Sequence, residues 1–138
     1  MFVVTNREVI EKQTGLEQFG KRPNAKGPNE LRLAELVKRG TRWGVTFLDD
    51  ELAKAEVEQL KNEFRLAIDP DETHYASLRV ACDLARRARE KKRHILFYIH
   101  GYNNDMKDVI GTAHYLEQRY GVDVLAFSWP ADGGGISG

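Results

Sequence analysis

Two short apolar runs, Ile95 to Ile99 and Val122 to Phe127, enclose the segment His100 to Gly121, whose apolar positions recur at helical spacing. Both runs are nearly unbroken and rich in branched and aromatic side chains, the pattern of strands covered by helices on both faces of a parallel sheet. Between them Val109, Ala113, Leu116 and Tyr120 follow at spacings of four, three and four, which predicts one helix from about Asn104 to Gln118, stopped by Gly121. A strand, helix, strand order implies a right-handed crossover with parallel strands, and ligands in such sheets bind beyond the strands' carboxyl ends. The polar segments His100 to Asn104 and Ser128 to Pro130 are therefore expected on one rim.

Upstream, Met1 to Thr5 reads as a strand, and the Gly- and Pro-punctuated stretch from Gly15 to Pro28 as loop. Leu31 to Lys38 and Arg42 to Leu48 flank the turn-compatible pair Gly40-Thr41 and fit a hairpin, although Leu31 to Val37 also fits a short helix. Ala53, Val57, Leu60, Phe64 and Ala67 predict a helix capped by Asp49 or Asp50 and stopped by Asp69-Pro70. A second helix, capped near Asp71 to Thr73, carries the stripe Tyr75, Leu78, Cys82 and Ala85. It closes on the cationic run Arg86 to Arg93, whose default reading is a solvated face complementing the helix dipole. The expected fold class is α/β, a mostly parallel sheet flanked by helices. Residues 1–92 form an amino-terminal strand and helix extension, and residues 93–138 the start of the core.

The turn after the first apolar run is the chemically informative part. His100-Gly101-Tyr102-Asn103 ends a strand and leaves backbone amides free where negative charge can be held. Phe127-Ser128-Trp129-Pro130 ends the next strand. An apolar strand ending in His-Gly, a helix, and a strand ending in Ser-Trp-Pro resemble the front half of an α/β-hydrolase. They are similar to a bacterial hydrolase family described as a domain of unknown function, whose members carry HGYN and FSWP turns in this order. The opening Val3-Val4-Thr5-Asn6-Arg7, and Phe19-Gly20 followed by Gly27-Pro28, resemble that family's amino-terminal extension more loosely.

That resemblance implies esterase- or lipase-like hydrolysis of a small-molecule ester or related acyl substrate by a serine nucleophile on a GxSxG elbow. It makes the Tyr102 amide an oxyanion donor and Gly101 the residue that turns sharply with no Cβ in the path of substrate. His100 would orient the loop through its ring nitrogens. Asn103, Ser128 and Trp129 belong to the substrate side, Asn103 and Asn104 as turn and capping residues, Ser128 as a loop hydroxyl and Trp129 as a pocket wall. The chain departs from the family at the elbow: Gly133-Gly134-Gly135-Ile136-Ser137-Gly138 does not complete GxSxG. Nucleophile, acid and base are then expected beyond Gly138, the sheet is expected to be incomplete, and the 138 residues alone are expected to be inactive. A different class of function also fits, a non-catalytic binding or regulatory fragment using the same rim.

Composition narrows the remaining classes. Lysine plus arginine equals aspartate plus glutamate, 21 each, so the basic excess of a nucleic-acid-binding surface is missing. A single cysteine, Cys82, rules out an internal disulfide and fits a reducing compartment. No run reaches the roughly eighteen apolar residues needed for a membrane span, and the amino terminus does not read as a signal peptide, so the expected location is the cytoplasm. No metal is expected, because His74, His94, His100 and His114 lack the spacing that projects two ligands from one face. No cofactor is expected either, since GxGxxG and the phosphate-loop lysine are both missing. An open sheet edge beside Val122 to Phe127 is expected to permit self-association.

Overall fold

The computed structural model describes residues 1–27, 29–101 and 104–131. The chain runs through β1 (Phe2–Thr5), β2 (Arg7–Val9), a 3₁₀ turn (Gly15–Gln18), β3 (Phe19–Pro23), β4 (Arg32–Arg39), β5 (Arg42–Phe47), α1 (Lys54–Phe64), α2 (Ala76–Lys91), β6 (Ile95–Ile99), α3 (Met106–Tyr120) and β7 (Asp123–Ser128). Five strands make the main sheet in the order β5-β4-β1-β7-β6, and β2 and β3 pair separately. Strands β1, β7 and β6 are mutually parallel, while β4 and β5 join as an antiparallel hairpin. The sheet is thus mixed, which corrects the mostly parallel expectation. The α/β class holds, and the crossover from β6 through α3 to β7 has the expected parallel outcome. The segment expected to be loop contains the 3₁₀ turn and β3, because the short polar strand Arg7–Val9 gives Phe19–Pro23 a partner that periodicity alone did not reveal.

The helices divide between the two faces. α3 covers one, where Val109, Ile110 and Ala113 pack with Val3, Leu36, Val124 and Ala126. Its amino terminus is capped by Asp105, whose carboxylate accepts from the Asp108 amide at 2.8 Å, and its carboxyl terminus by Gly121 at φ 61°. Glycine takes that left-handed backbone without a Cβ penalty, whereas α1 and α2 end on Arg65 and Lys92 in the same region. The cap is therefore Asp105 rather than the expected Asn103 or Asn104. Tyr120, expected on the buried stripe, is exposed. α2 covers the other face, with Ala76, Val80 and Leu84 against Phe2 and Leu48. That face is rotated from the expected stripe: Tyr75 and Ala85 point to solvent, although Cys82 is buried. Apolar residues occur on several faces of this helix, so the tertiary contact chose the side.

The cationic run is more than a solvated face. Arg86 makes a bidentate pair with Glu63 of α1, two contacts of 2.7 Å, and a third at 2.7 Å to Asp83. Arg93 donates to Asp123 at 3.1 Å and to the Val122 carbonyl at 2.6 Å, and Arg87 lies over the Phe2 ring. These cations fasten α1 and the start of β7. The Arg86 guanidinium holds the Glu63 carboxyl below the usual glutamate range. A carboxyl lowered in the folded state stabilises above its unfolded value, and the gain disappears as pH falls through the folded value. The melting-temperature difference between wild type and Glu63→Gln at pH 7 should therefore shrink and vanish as pH is taken well below about 4.3, the ordinary glutamate value. A difference that does not shrink as pH is lowered in thermal melts would contradict this assignment.

The edges of the main sheet are β5 and β6. β7 is paired on both sides, so the open edge expected beside Val122 to Phe127 lies one strand further out. Ile95, Leu96, Phe97 and Ile99 of β6 are 36–59% exposed, contrary to the doubly covered strand that the unbroken apolar run predicts. Among the described residues no helix is long and apolar enough to cross a membrane.

Candidate functional site

The parallel register brings three strand ends to one level. Thr5 of β1 is opposite Ser128 of β7, and Ile99 of β6 is opposite Phe127, so His100 follows at the height of Ser128. Each strand then breaks into a polar segment, and the three segments bond to one another. The Thr5 hydroxyl donates to the Ser128 carbonyl at 2.8 Å and accepts from the Arg7 amide at 3.0 Å.

His100 and Trp129 form the centre of the rim. The Trp129 amide donates to His100 Nε2 at 3.0 Å, and the indole Nε1 donates to the His100 carbonyl at 3.2 Å. The rings stack at 5.2 Å between centroids, 12° from parallel. Because Nε2 accepts a hydrogen bond, the ring proton resides on Nδ1, which lies 2.8 Å from the Gly101 carbonyl and donates to it. The Asn104 amide donates to the same carbonyl at 3.1 Å. His100 is 3% exposed, and both its nitrogens are engaged within the rim.

Arg7, just past the end of β1, is the residue that sequence reasoning missed. It is fully buried. Its Nε donates to Ser128 Oγ at 2.9 Å, one terminal nitrogen to the Gly20 carbonyl at 3.0 Å, and the other to the Trp129 carbonyl at 2.8 Å and the Asn104 carbonyl at 3.4 Å. One planar guanidinium thereby ties β3, the segment after β6 and the segment after β7. Arginine suits this position because its fork presents five donors in fixed directions, which a lysine ammonium does not. The signal in the sequence was an arginine two residues beyond an apolar strand, at a rim where parallel pairing gathers strand ends.

Of the expected site residues, His100, Gly101, Ser128 and Trp129 are brought together. Tyr102 and Asn103, the expected oxyanion donor and its neighbour, lie outside the described residues. Ser128 is fully buried, its hydroxyl accepting from Arg7 and directed to Met106 Sδ at 3.1 Å, so it supports the rim from beneath. Gly101 differs from its expected role in one respect: its φ lies outside the left-handed region and a Cβ would meet only Asn104 Nδ2 at an ordinary 3.6 Å. Backbone strain therefore does not demand glycine there. The carbonyls of His100, Gly101, Ser128 and Trp129 all accept bonds from protein donors. A negative group approaching the rim thus meets carbonyl oxygens already turned to partners. No group of three or more His, Cys, Asp or Glu side chains suited to a metal occurs among the described residues.

Comparison with known families agrees with the resemblance read from the two turns. Residues 79–137, spanning most of α2 and all of β6, α3 and β7, match the family model described as alpha/beta hydrolase of unknown function (DUF900). Neither the curated proteins nor the solved structures give a match.

Proposed function

We propose, from the premise that residues 79–137 are similar to an alpha/beta hydrolase of unknown function, that this chain contributes the oxyanion side of a serine hydrolase acting on a small-molecule ester or related acyl compound. The observation that carries the reading is the His100–Trp129 lock, which fixes the start of the turn after β6 against the end of β7. Acyl transfer develops negative charge on the carbonyl oxygen, and main-chain donors fixed beforehand stabilise it without reorganising in the transition state. One such donor is worth about 3 to 4 kcal/mol of barrier. On this reading the Tyr102 amide is the donor, Gly101 leaves the approach open, and Asn103 and Trp129 border the acyl group.

His100 serves as the orienting group in this scheme. A general base needs a free lone pair facing the nucleophile, whereas the His100 Nε2 lone pair is directed at the Trp129 amide. The serine nucleophile, acid and base of this scheme are not assigned to any described residue. The second reading is a binding module that uses the rim without catalysis.

A fluorophosphonate probe separates the two readings. The longest polypeptide encoded by the reading frame should be labelled on a serine and should hydrolyse short-chain aryl esters, whereas the 138 residues alone should do neither. A folded full-length protein that neither takes the probe nor cleaves such esters would leave the binding module as the better account.

A further inference from the structure

On the α3 side of the sheet a cavity of about 900 Å³ opens between the 3₁₀ turn, the beginning of β5 and the first turns of α3. Its floor is the upper layer of the core: Phe19 and Met106 are each 5% exposed, and half-buried Leu16 and Trp43 pack against the same cluster. Three cations border it from three separate elements, Lys21 on β3, Arg42 on β5 and Lys107 on α3. None of the three enters an ion pair among the described residues, whereas Arg32, Lys54, Arg79, Arg86 and Arg93 all do. Of the two acids at the same wall, Glu17 and Asp105, the Asp105 carboxylate is committed to capping α3 through the Asp108 amide.

Small-molecule sites combine a concave apolar lining with a few converging polar groups, in cavities of roughly 300 to 1,000 Å³. This one adds three cations against two carboxylates, one of which already caps the positive end of α3. We infer that the cavity is a binding site for an amphipathic organic anion: an apolar chain or ring lies on Phe19, Leu16 and Trp43, and its carboxylate or similar anionic group is held by Arg42 and Lys107. The inference stands on the α3 face alone and does not require the hydrolase reading.

Gly111 supplies a way to narrow the site. It borders the cavity, and a Cβ added there meets nothing within 4 Å. Replacing a mid-helix glycine also favours the helix by up to about 1 kcal/mol. Gly111→Leu should therefore narrow the cavity at its α3 wall while keeping or raising the melting temperature.

Decanoate, kept below its micelle-forming concentration, is the probe, with decanol and decyltrimethylammonium as neutral and cationic counterparts. In NMR titrations of the wild-type chain the indole N–H signal of Trp43 should move with decanoate while that of Trp129, bonded to the His100 carbonyl, stays in place. Calorimetry should give at least tenfold weaker binding for decanol and for the Arg42→Glu, Lys107→Glu double variant, and weaker binding for Gly111→Leu. Equal affinity for all three probes, undiminished binding in folded Gly111→Leu, or a response confined to Trp129 would each overturn the assignment. A response at Trp129 would also place the anion at the rim, so this outcome bears on the hydrolase reading separately.

Discussion

Replacing Arg7 with methionine should lower the free energy of unfolding by about 3 to 5 kcal/mol, the cost of leaving several buried acceptors without their donor. Methionine matches the side chain only as far as Nε and supplies none of its donors. The Gly20 and Trp129 carbonyls and the Ser128 hydroxyl would remain buried with a partner lost, at roughly 1 to 3 kcal/mol each before relaxation. Since a domain of this size is stable by only about 5 to 15 kcal/mol, the variant should unfold at much lower urea concentration. Arg7→Lys tests whether charge or shape matters. An ammonium keeps the charge yet does not reproduce the spread of acceptors met by the guanidinium fork, so the lysine variant should recover less than half of the loss. Urea denaturation followed by tryptophan fluorescence measures both. A methionine variant within about 1 kcal/mol of wild type would show that the network is replaceable.

The wild-type chain should self-associate through β6, and Phe97→Lys should reduce that association at least tenfold. Ile95, Phe97 and Ile99 fall on the same face as Leu125 and Phe2, because Phe97 is in register with Leu125 and Leu125 with Phe2. α2 covers Phe2 and Leu125 but leaves the three β6 side chains 47%, 56% and 59% exposed. Beside them the outer main-chain groups of an edge strand are available for pairing. Full burial of one such side chain is worth about 1.5 to 3 kcal/mol, so burying the exposed half of Phe97 contributes about 1 kcal/mol or more. Introducing an ammonium in its place adds a desolvation cost, which carries the loss past the roughly 1.4 kcal/mol that corresponds to tenfold. A second copy pairing antiparallel would bring the cations at positions 91 to 93 of each chain beside the partner's rim rather than beside one another. Sedimentation velocity over a concentration series reads the result. A wild-type chain that sediments as a monomer at several hundred micromolar would remove the proposal.

Much of the core half was legible in the sequence. The apolar runs at β6 and β7, the helical stripe of Val109 and Ala113 and the stop at Gly121 were all readable, because each signal is local: period, run length and a left-handed cap. The hairpin of β4 and β5 was legible for the same reason, through the turn at Gly40. The buried face of α2 was harder. Its stripe as read from spacing included Tyr75 and Ala85, whereas the sheet accepted Ala76, Val80 and Leu84. Several faces of that helix carry apolar residues, so only the shape of the sheet distinguishes them.

By itself the sequence determined which segments become strands and helices around the crossover, and that the His-Gly and Ser-Trp-Pro segments share a rim, since a short right-handed crossover leaves no other arrangement. The tertiary structure decided three things. It placed β1 beside β7 so that β6 became the edge, drew Arg7 inward to hold three separate segments, and left Lys21, Arg42 and Lys107 around one apolar cavity. These depend on strand order and on contacts between residues far apart in the chain, and hydrophobic periodicity contains no information about either.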